Sequence, residues 1–189
     1  MEILPTKIAG CFVIRPQLFP DDRGLFYESF NSQRFKEKSG VRIDFVQDNI
    51  SISQRGVLRG LHFQTGDAAQ SKLVSVLKGE VLDVVVDLRK DSATFGKYIK
   101  ARLSESNRKQ LFIPKGMAHG FLSLADKTIF SYKCDAFYNP SAESGIVYDD
   151  TELNIDWEFS KESLIISKKD LKLPSLKKAL HDISISDRI

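Results

Sequence analysis

Residues 57–64, VLRGLHFQ, read as a β-strand, and the rest of the fold follows from how they are flanked. Strict two-residue alternation puts Leu58, Gly60, His62 and Gln64 on one face and Arg59 on the other. If Arg59 and His62 serve one site, Gly60 marks a bulge or a strand start that re-aims the arginine. Outward from this strand, residues 41–157 give short β-rich runs broken by turn residues: SQRG at 53–56, KGE at 78–80, PKG at 114–116 and NPSAES at 139–144. That rhythm predicts an all-β barrel or sandwich, with 13 phenylalanines to fill it. Residues 73–77 and 81–88 flank Lys78 and Gly79 as an expected hairpin.

Helical signals are short and peripheral. Asn31 or Ser32 can cap a segment through Lys38 that Gly40 stops, and Ser175 can cap LKKALHD. Pro174 interrupts the C-terminal stretch, which is expected to pack over the barrel as loop and short helix. With 189 residues and 42% hydrophobic content the chain is expected to be a single domain over 1–189.

Lys plus Arg number 28 against 25 Asp plus Glu, and the two signs are interspersed. No basic face is offered to nucleic acid or to a membrane, although a small anionic ligand is compatible. Cys11 and Cys134 have neither metal spacing nor disulfide density and are expected to be buried in a reducing compartment. The segment MEILPTKIAG has no basic region leading into a long apolar run, and no later run reaches transmembrane length. A cytoplasmic location is expected.

A histidine is more often structural than catalytic, so the three in this chain are separated by context. His181 falls in a charged terminal helix and is expected to be solvated. His62 follows Gly56 by six positions, and His119 ends PKGMAH at 114–119. In IFSYKC at 129–134, Phe130, Tyr132 and Cys134 share one face, so Tyr132 should point inward. A phenol inside a barrel stays neutral near pH 7 and can donate a proton.

The two histidine segments resemble the paired motifs of cupins. In a metal-binding cupin the first motif supplies H-x-H and then a glutamate six residues before a second glycine. Here Gln64 replaces the second histidine, Lys72 takes the glutamate position before Gly79, and TGDAAQ at 65–70 lengthens the loop between them. An ammonium has no lone pair and repels a divalent ion, so no metal is expected. The same charge can instead stabilise an oxyanion formed by proton removal beside a carbonyl.

Longer blocks carry a closer resemblance. DDRGLFYESF at 21–30, FVQDN at 45–49, GVLRGLHFQ at 56–64, KLVSVLKGEVLDVVVDLRKDSATFGKY at 72–98, LFIPKGMAHGF at 111–121, and residues 132–138 and 143–157 resemble the dTDP-4-dehydrorhamnose 3,5-epimerase family. That resemblance implies a cupin jelly-roll barrel with short peripheral helices. It also implies an isomerase acting on a nucleotide-linked 4-keto-6-deoxyhexose, with no redox cofactor. His62 matches the base, Asp170 the carboxylate that orients it, Tyr132 the acid on the opposite face and Lys72 the cation beside the sugar oxygens.

Substrate contacts carried over by the same resemblance are Arg23, Glu28, Gln47, Asp48, Asn49, Arg59, His119, Glu143 and Lys168, with Arg59 suited to the diphosphate. Tyr138 matches the aromatic that stacks on thymine. The resemblance further implies a homodimer in which exchanged N-terminal strands bring Arg23 and Glu28 to the partner's site. Two other readings stay open. One is an enzyme acting at a single carbon of a related 4-keto sugar, or a 3,4-ketoisomerase; the other is a non-catalytic sugar-binding cupin. The chain departs from the family at Ser71, Phe137, residues 149–151 (DDT) and Glu158, none of them an acid, base or oxyanion group.

Overall fold

The computed structural model describes residues 1–186, with side chains described through Asp182. The N-terminal part comprises β1 (Glu2–Pro5), β2 (Phe12–Arg15), a ribbon of β3 (Leu18–Asp21) and β4 (Gly24–Tyr27), and helix α1 (Ser32–Ser39). Then come β5 (Gln47–Ser53), β6 (Val57–Gln64), β7 (Lys72–Lys78), β8 (Glu80–Asp87) and β9 (Tyr98–Ser104). The chain continues with β10 (Gln110–Ile113), β11 (Met117–Ser123), β12 (Thr128–Cys134), β13 (Glu143–Gly145), β14 (Ile165–Ile166) and helix α2 (Leu176–Ser186).

Apart from the separate β3–β4 ribbon, these strands form the two facing sheets of a cupin jelly roll. One sheet has the order β1-β2-β10-β7-β12-β5; the other runs β13-β6-β11-β8-β9, with β14 added parallel to β6. Between the sheets lie Val74, Val76, Val85, Leu103, Phe121 and Phe130, and the last two rings stack at 4.1 Å between centroids. Outside the first sheet, Phe35 of α1 packs on Phe12, Leu73 and Phe112. Outside the second, Leu58, Leu61, Leu82 and Val84 are covered by Tyr148, Trp157 and the α2 residues Leu176 and Ala179. Strand β8 is therefore buried on both faces, which is why EVLDVVVD reads as an almost unbroken apolar run.

Helix α1 begins where expected: the Asn31 side chain accepts from the Arg34 N–H, and Gly40 closes the helix at φ +73°. The C-terminal stretch lies across the barrel as anticipated, with Ser175 Oγ accepting from the Lys178 N–H. The expected hairpin around Lys78 and Gly79 does not form. Strands β7 and β8 belong to different sheets, and Gly79, at φ +81°, turns a corner between them. A Cβ at Gly79 would stand 2.5 Å from Thr128 Oγ1, so glycine is required by both conformation and space. Alternation within each run is the same for a hairpin and for a corner, so local pattern does not separate them. No helix among the described residues is long and apolar enough to cross a membrane.

Candidate active site

The site grows from a defect in β6. Its register with β11 pairs His119 with His62 and Phe121 with Arg59, so three steps on β6 oppose two on β11. The extra residue is accommodated at Gly60, at φ +122°, where an added Cβ would lie 2.6 Å from Gly120 Cα. The bulge reverses the alternation on its N-terminal side. Leu58, Leu61 and Phe63 therefore join the outer apolar cluster, while Arg59 and His62 line one cavity of about 580 Å³. The arginine is held there by its Nε–H, which donates to Ser53 Oγ at 3.3 Å.

Asp170 locks the same bulge from a distant loop. Its Oδ1 lies 2.9 Å from His62 Nε2, and its Oδ2 accepts the Gly60 N–H at 3.3 Å. Burial works against this carboxylate's charge, but hydrogen bonds from His62 and Gly60 outweigh it and hold Asp170 below its ordinary range. With Nε2 engaged, Nδ1 is the His62 nitrogen left for another partner.

The facing sheet supplies Lys72 from β7 and Tyr132 from β12, and both line the same cavity. Lys72 Nζ stands 6.0 Å from the centre of the Tyr132 ring. Burial lowers the lysine's pKa, opposed by the nearby Cys134, Asp83 and Glu143, and burial raises that of the Tyr132 phenol. A second cavity of about 300 Å³ shares His62, Lys72 and Tyr132 and runs on past Gln47, Asn49, Tyr138 and Glu143. The two form one cleft, with His62, Lys72 and Tyr132 at the junction. Titratable groups displaced from their ordinary pKa in a cleft mark a functional site.

His119 also lines the larger cavity. Its Nε2 lies 2.9 Å from Oδ2 of Asp83, a fully buried carboxylate whose Oδ1 has no hydrogen-bond partner. Burial pushes the Asp83 carboxyl up, with His119 and then Lys72 pulling it back. Sequence reasoning did not single out Asp83, although a lone acid inside VLDVVV was the available signal. Among the described residues, no group of three or more His, Cys, Asp and Glu side chains could hold a metal ion.

The family model described as dTDP-4-dehydrorhamnose 3,5-epimerase matches residues 5–178. The chain belongs to this family. A curated dTDP-4-dehydrorhamnose 3,5-epimerase of Methanothermobacter thermautotrophicus is 49% identical over 170 residues, covering 89% of this chain and 91% of its own. The crystal structure of the Elizabethkingia anophelis dTDP-4-dehydrorhamnose 3,5-epimerase superposes with a TM-score of 0.91 at 48% identity, covering 94% of this chain and 97% of the other. The 3,5-epimerase of Legionella pneumophila, in complex with dTDP-4-keto-L-rhamnose, gives 0.89 at 46% identity and 93% coverage of each chain.

In this epimerase the remaining sequence-predicted contacts divide. Gln47, Asn49, Arg59, His119, Tyr138 and Glu143 reach the cleft. Tyr138 donates its hydroxyl to Glu143 Oε2 at 2.7 Å, and Glu143 also receives Lys169 Nζ. Asp48 does not reach it: on β5 it alternates with Gln47 and Asn49, faces outward and pairs with Lys133 Nζ at 2.9 Å. Lys168 is exposed and lines neither cavity, whereas its neighbour Lys169 does. Within one chain, Arg23 pairs with Asp21 on the exposed β3–β4 ribbon, its side chain 90% accessible, and Glu28 pairs with Arg34 at 3.2 Å.

Proposed function

We propose that the enzyme epimerises C3 and C5 of dTDP-4-dehydro-6-deoxy-D-glucose to give dTDP-4-dehydro-L-rhamnose. The C4 ketone acidifies the protons on both neighbouring carbons. His62 removes a proton from one face, with Asp170 supporting the imidazolium that results. Lys72 stabilises the enolate oxygen, and Tyr132 returns a proton to the opposite face. The sugar keeps its oxidation state throughout, so the step needs no redox cofactor. Arg59 would meet the diphosphate, and Tyr138 would stack on thymine at the outer end of the cleft.

The observation that carries this reading is the approach of His62 and Tyr132 to one cleft from opposite sheets, with Lys72 beside the phenol. A reaction that inverts a carbon needs proton exchange on two faces, and this is the arrangement that provides it. We further read residues 1–189 as one domain acting as a homodimer, in which Arg23 and Glu28 would complete the partner's cleft. Two free, buried cysteines accord with a reducing, cytoplasmic setting.

Proton NMR of the 4-keto sugar incubated with enzyme in deuterated water, with chelator present, tests the reading. Deuterium is expected at both C3 and C5. Exchange at C3 alone would replace it with a single-centre enzyme, no exchange would leave a binding module, and loss of exchange with chelator would overturn the metal-free mechanism.

A further inference from the structure

Gln64 stands where a metal-binding cupin has its second histidine, and its carboxamide is used at both ends. It is only 8% exposed. Its Nε2 donates to the Ala68 carbonyl at 3.0 Å, and its Oε1 accepts the Asn139 N–H at 2.7 Å. The bond to Ala68 holds the inserted loop at 65–70; the bond to Asn139 holds the turn that carries Tyr138. One residue earlier in that turn, the Tyr138 N–H donates to Gln47 Oε1 at 2.9 Å. Two consecutive peptide N–H groups are thus gripped by glutamine oxygens from opposite sheets, Gln47 on β5 and Gln64 on β6.

Other ties lace the same two segments. Gln70 Nε2 donates to the Ala136 carbonyl at 2.9 Å, the Ser71 N–H to Asp135 Oδ1 at 2.6 Å, and the Thr65 N–H to the Ala142 carbonyl at 3.0 Å. Gln64 and Gln70 both line the cleft, but Gln70 bonds Ala136, whereas Gln64 bonds the peptide N–H next to Tyr138. The Gln64 bond to Asn139 holds the backbone beside Tyr138, a residue that is 48% exposed and whose hydroxyl reaches Glu143. A ring whose position is set beforehand stacks on a base at less ordering cost, and here the two backbone bonds hold the chain that carries it.

We infer that Gln64 is a positioning residue for the nucleotide end of the substrate, acting through Tyr138 and not through the reacting carbons. The inference rests on Tyr138 being the base-stacking residue. It assigns to the position that carries a histidine in metal-binding cupins the task of fixing the mouth of the cleft.

The test is a double-mutant cycle with dTDP as the probe, read by calorimetry, together with kcat for deuterium exchange at saturating sugar nucleotide. Gln64→Leu should weaken dTDP binding by about tenfold while kcat stays within about twofold; in a Tyr138→Ala background it should add less than about twofold. Gln64→Asn keeps the amide but falls a methylene short of Asn139; it should give the same pattern if the leucine variant does not fold. Equal weakening in both backgrounds, or a fall in kcat at unchanged dTDP affinity, would overturn the inference. Unchanged dTDP binding in Tyr138→Ala would remove the stacking role and the inference with it. A Tyr138→Ala loss with no Gln64 effect would remove the inference alone.

Discussion

Asp170 binds the His62 ring and the backbone bulge that aims it with the two oxygens of one carboxylate, at 2.9 Å to Nε2 and 3.3 Å to the Gly60 N–H. Orientation of the His62 ring and the shape of its strand therefore depend on one side chain. Asp170→Asn, which can offer His62 an amide in place of a carboxylate, should lower kcat by about a hundredfold or more, and His62→Asn should abolish exchange at both carbons. Deuterium incorporation measures both, and wild-type-like exchange in His62→Asn would reject it as the base.

The same carboxylate makes stability depend on acid. Its folded pKa is depressed, so its charge stabilises the fold above the unfolded value of about 3.9, and that contribution disappears as pH falls through the lower folded value. Urea midpoints followed from pH 7 into the acid range should converge for wild type and Asp170→Asn. Parallel curves would show that Asp170 contributes nothing to the acid transition.

Asp83 should behave in the opposite sense. Burial raises its folded pKa, so its ionised form costs stability once pH rises above the unfolded value. Asp83→Asn should leave the thermal midpoint at pH 7 unchanged or higher, while kcat/KM falls as His119 loses its carboxyl partner. A variant that loses stability and keeps full activity would contradict this.

Lys72 must be charged to stabilise an enolate, and burial lowers its pKa. The rate should therefore begin to fall at a lower pH than an ordinary lysine would give, and Lys72→Met should reduce kcat by about a hundredfold or more at pH 7. The pH profile of kcat measures the first effect; a basic limb unchanged in the residual activity of Lys72→Met would assign it elsewhere.

The proposed exchange of N-terminal strands predicts complementation. Arg23→Ala, weak alone, and His62→Asn, inactive alone, should regain activity when refolded together, because a mixed dimer carries one cleft with a native histidine and a native arginine. Mixtures no more active than their components would place Arg23 outside the partner's cleft.

The sequence made the outline of the site readable to different depths. Glycine inside a strand pattern offered either a bulge or a strand start as the way to bring Arg59 to the side of His62, and the structure has the bulge. Lys72 was legible as a charge in place of a ligand. Asp170 entered through family likeness alone, since a loop contact across most of the chain leaves no local trace. Asp48 was taken over with the whole FVQDN block, although the alternation that turned Tyr132 inward would also have turned Asp48 out. The β7–β8 corner could not be told from a hairpin, because which sheet a strand joins is decided by partners far along the chain. Asp83 was hidden by its surroundings, where continuous burial on both faces drowned a single acid.

His62 and Lys72 stand on different sheets, and Tyr132 shares the sheet of Lys72. The proposed proton acceptor and donor therefore reach the cleft from opposite sheets, between which Phe121 and Phe130 stack at 4.1 Å. If His62 and Tyr132 have these roles, the packing that holds the sheets apart also sets how the two proton-transfer groups meet the sugar, and the hydrophobic core takes part in the chemistry.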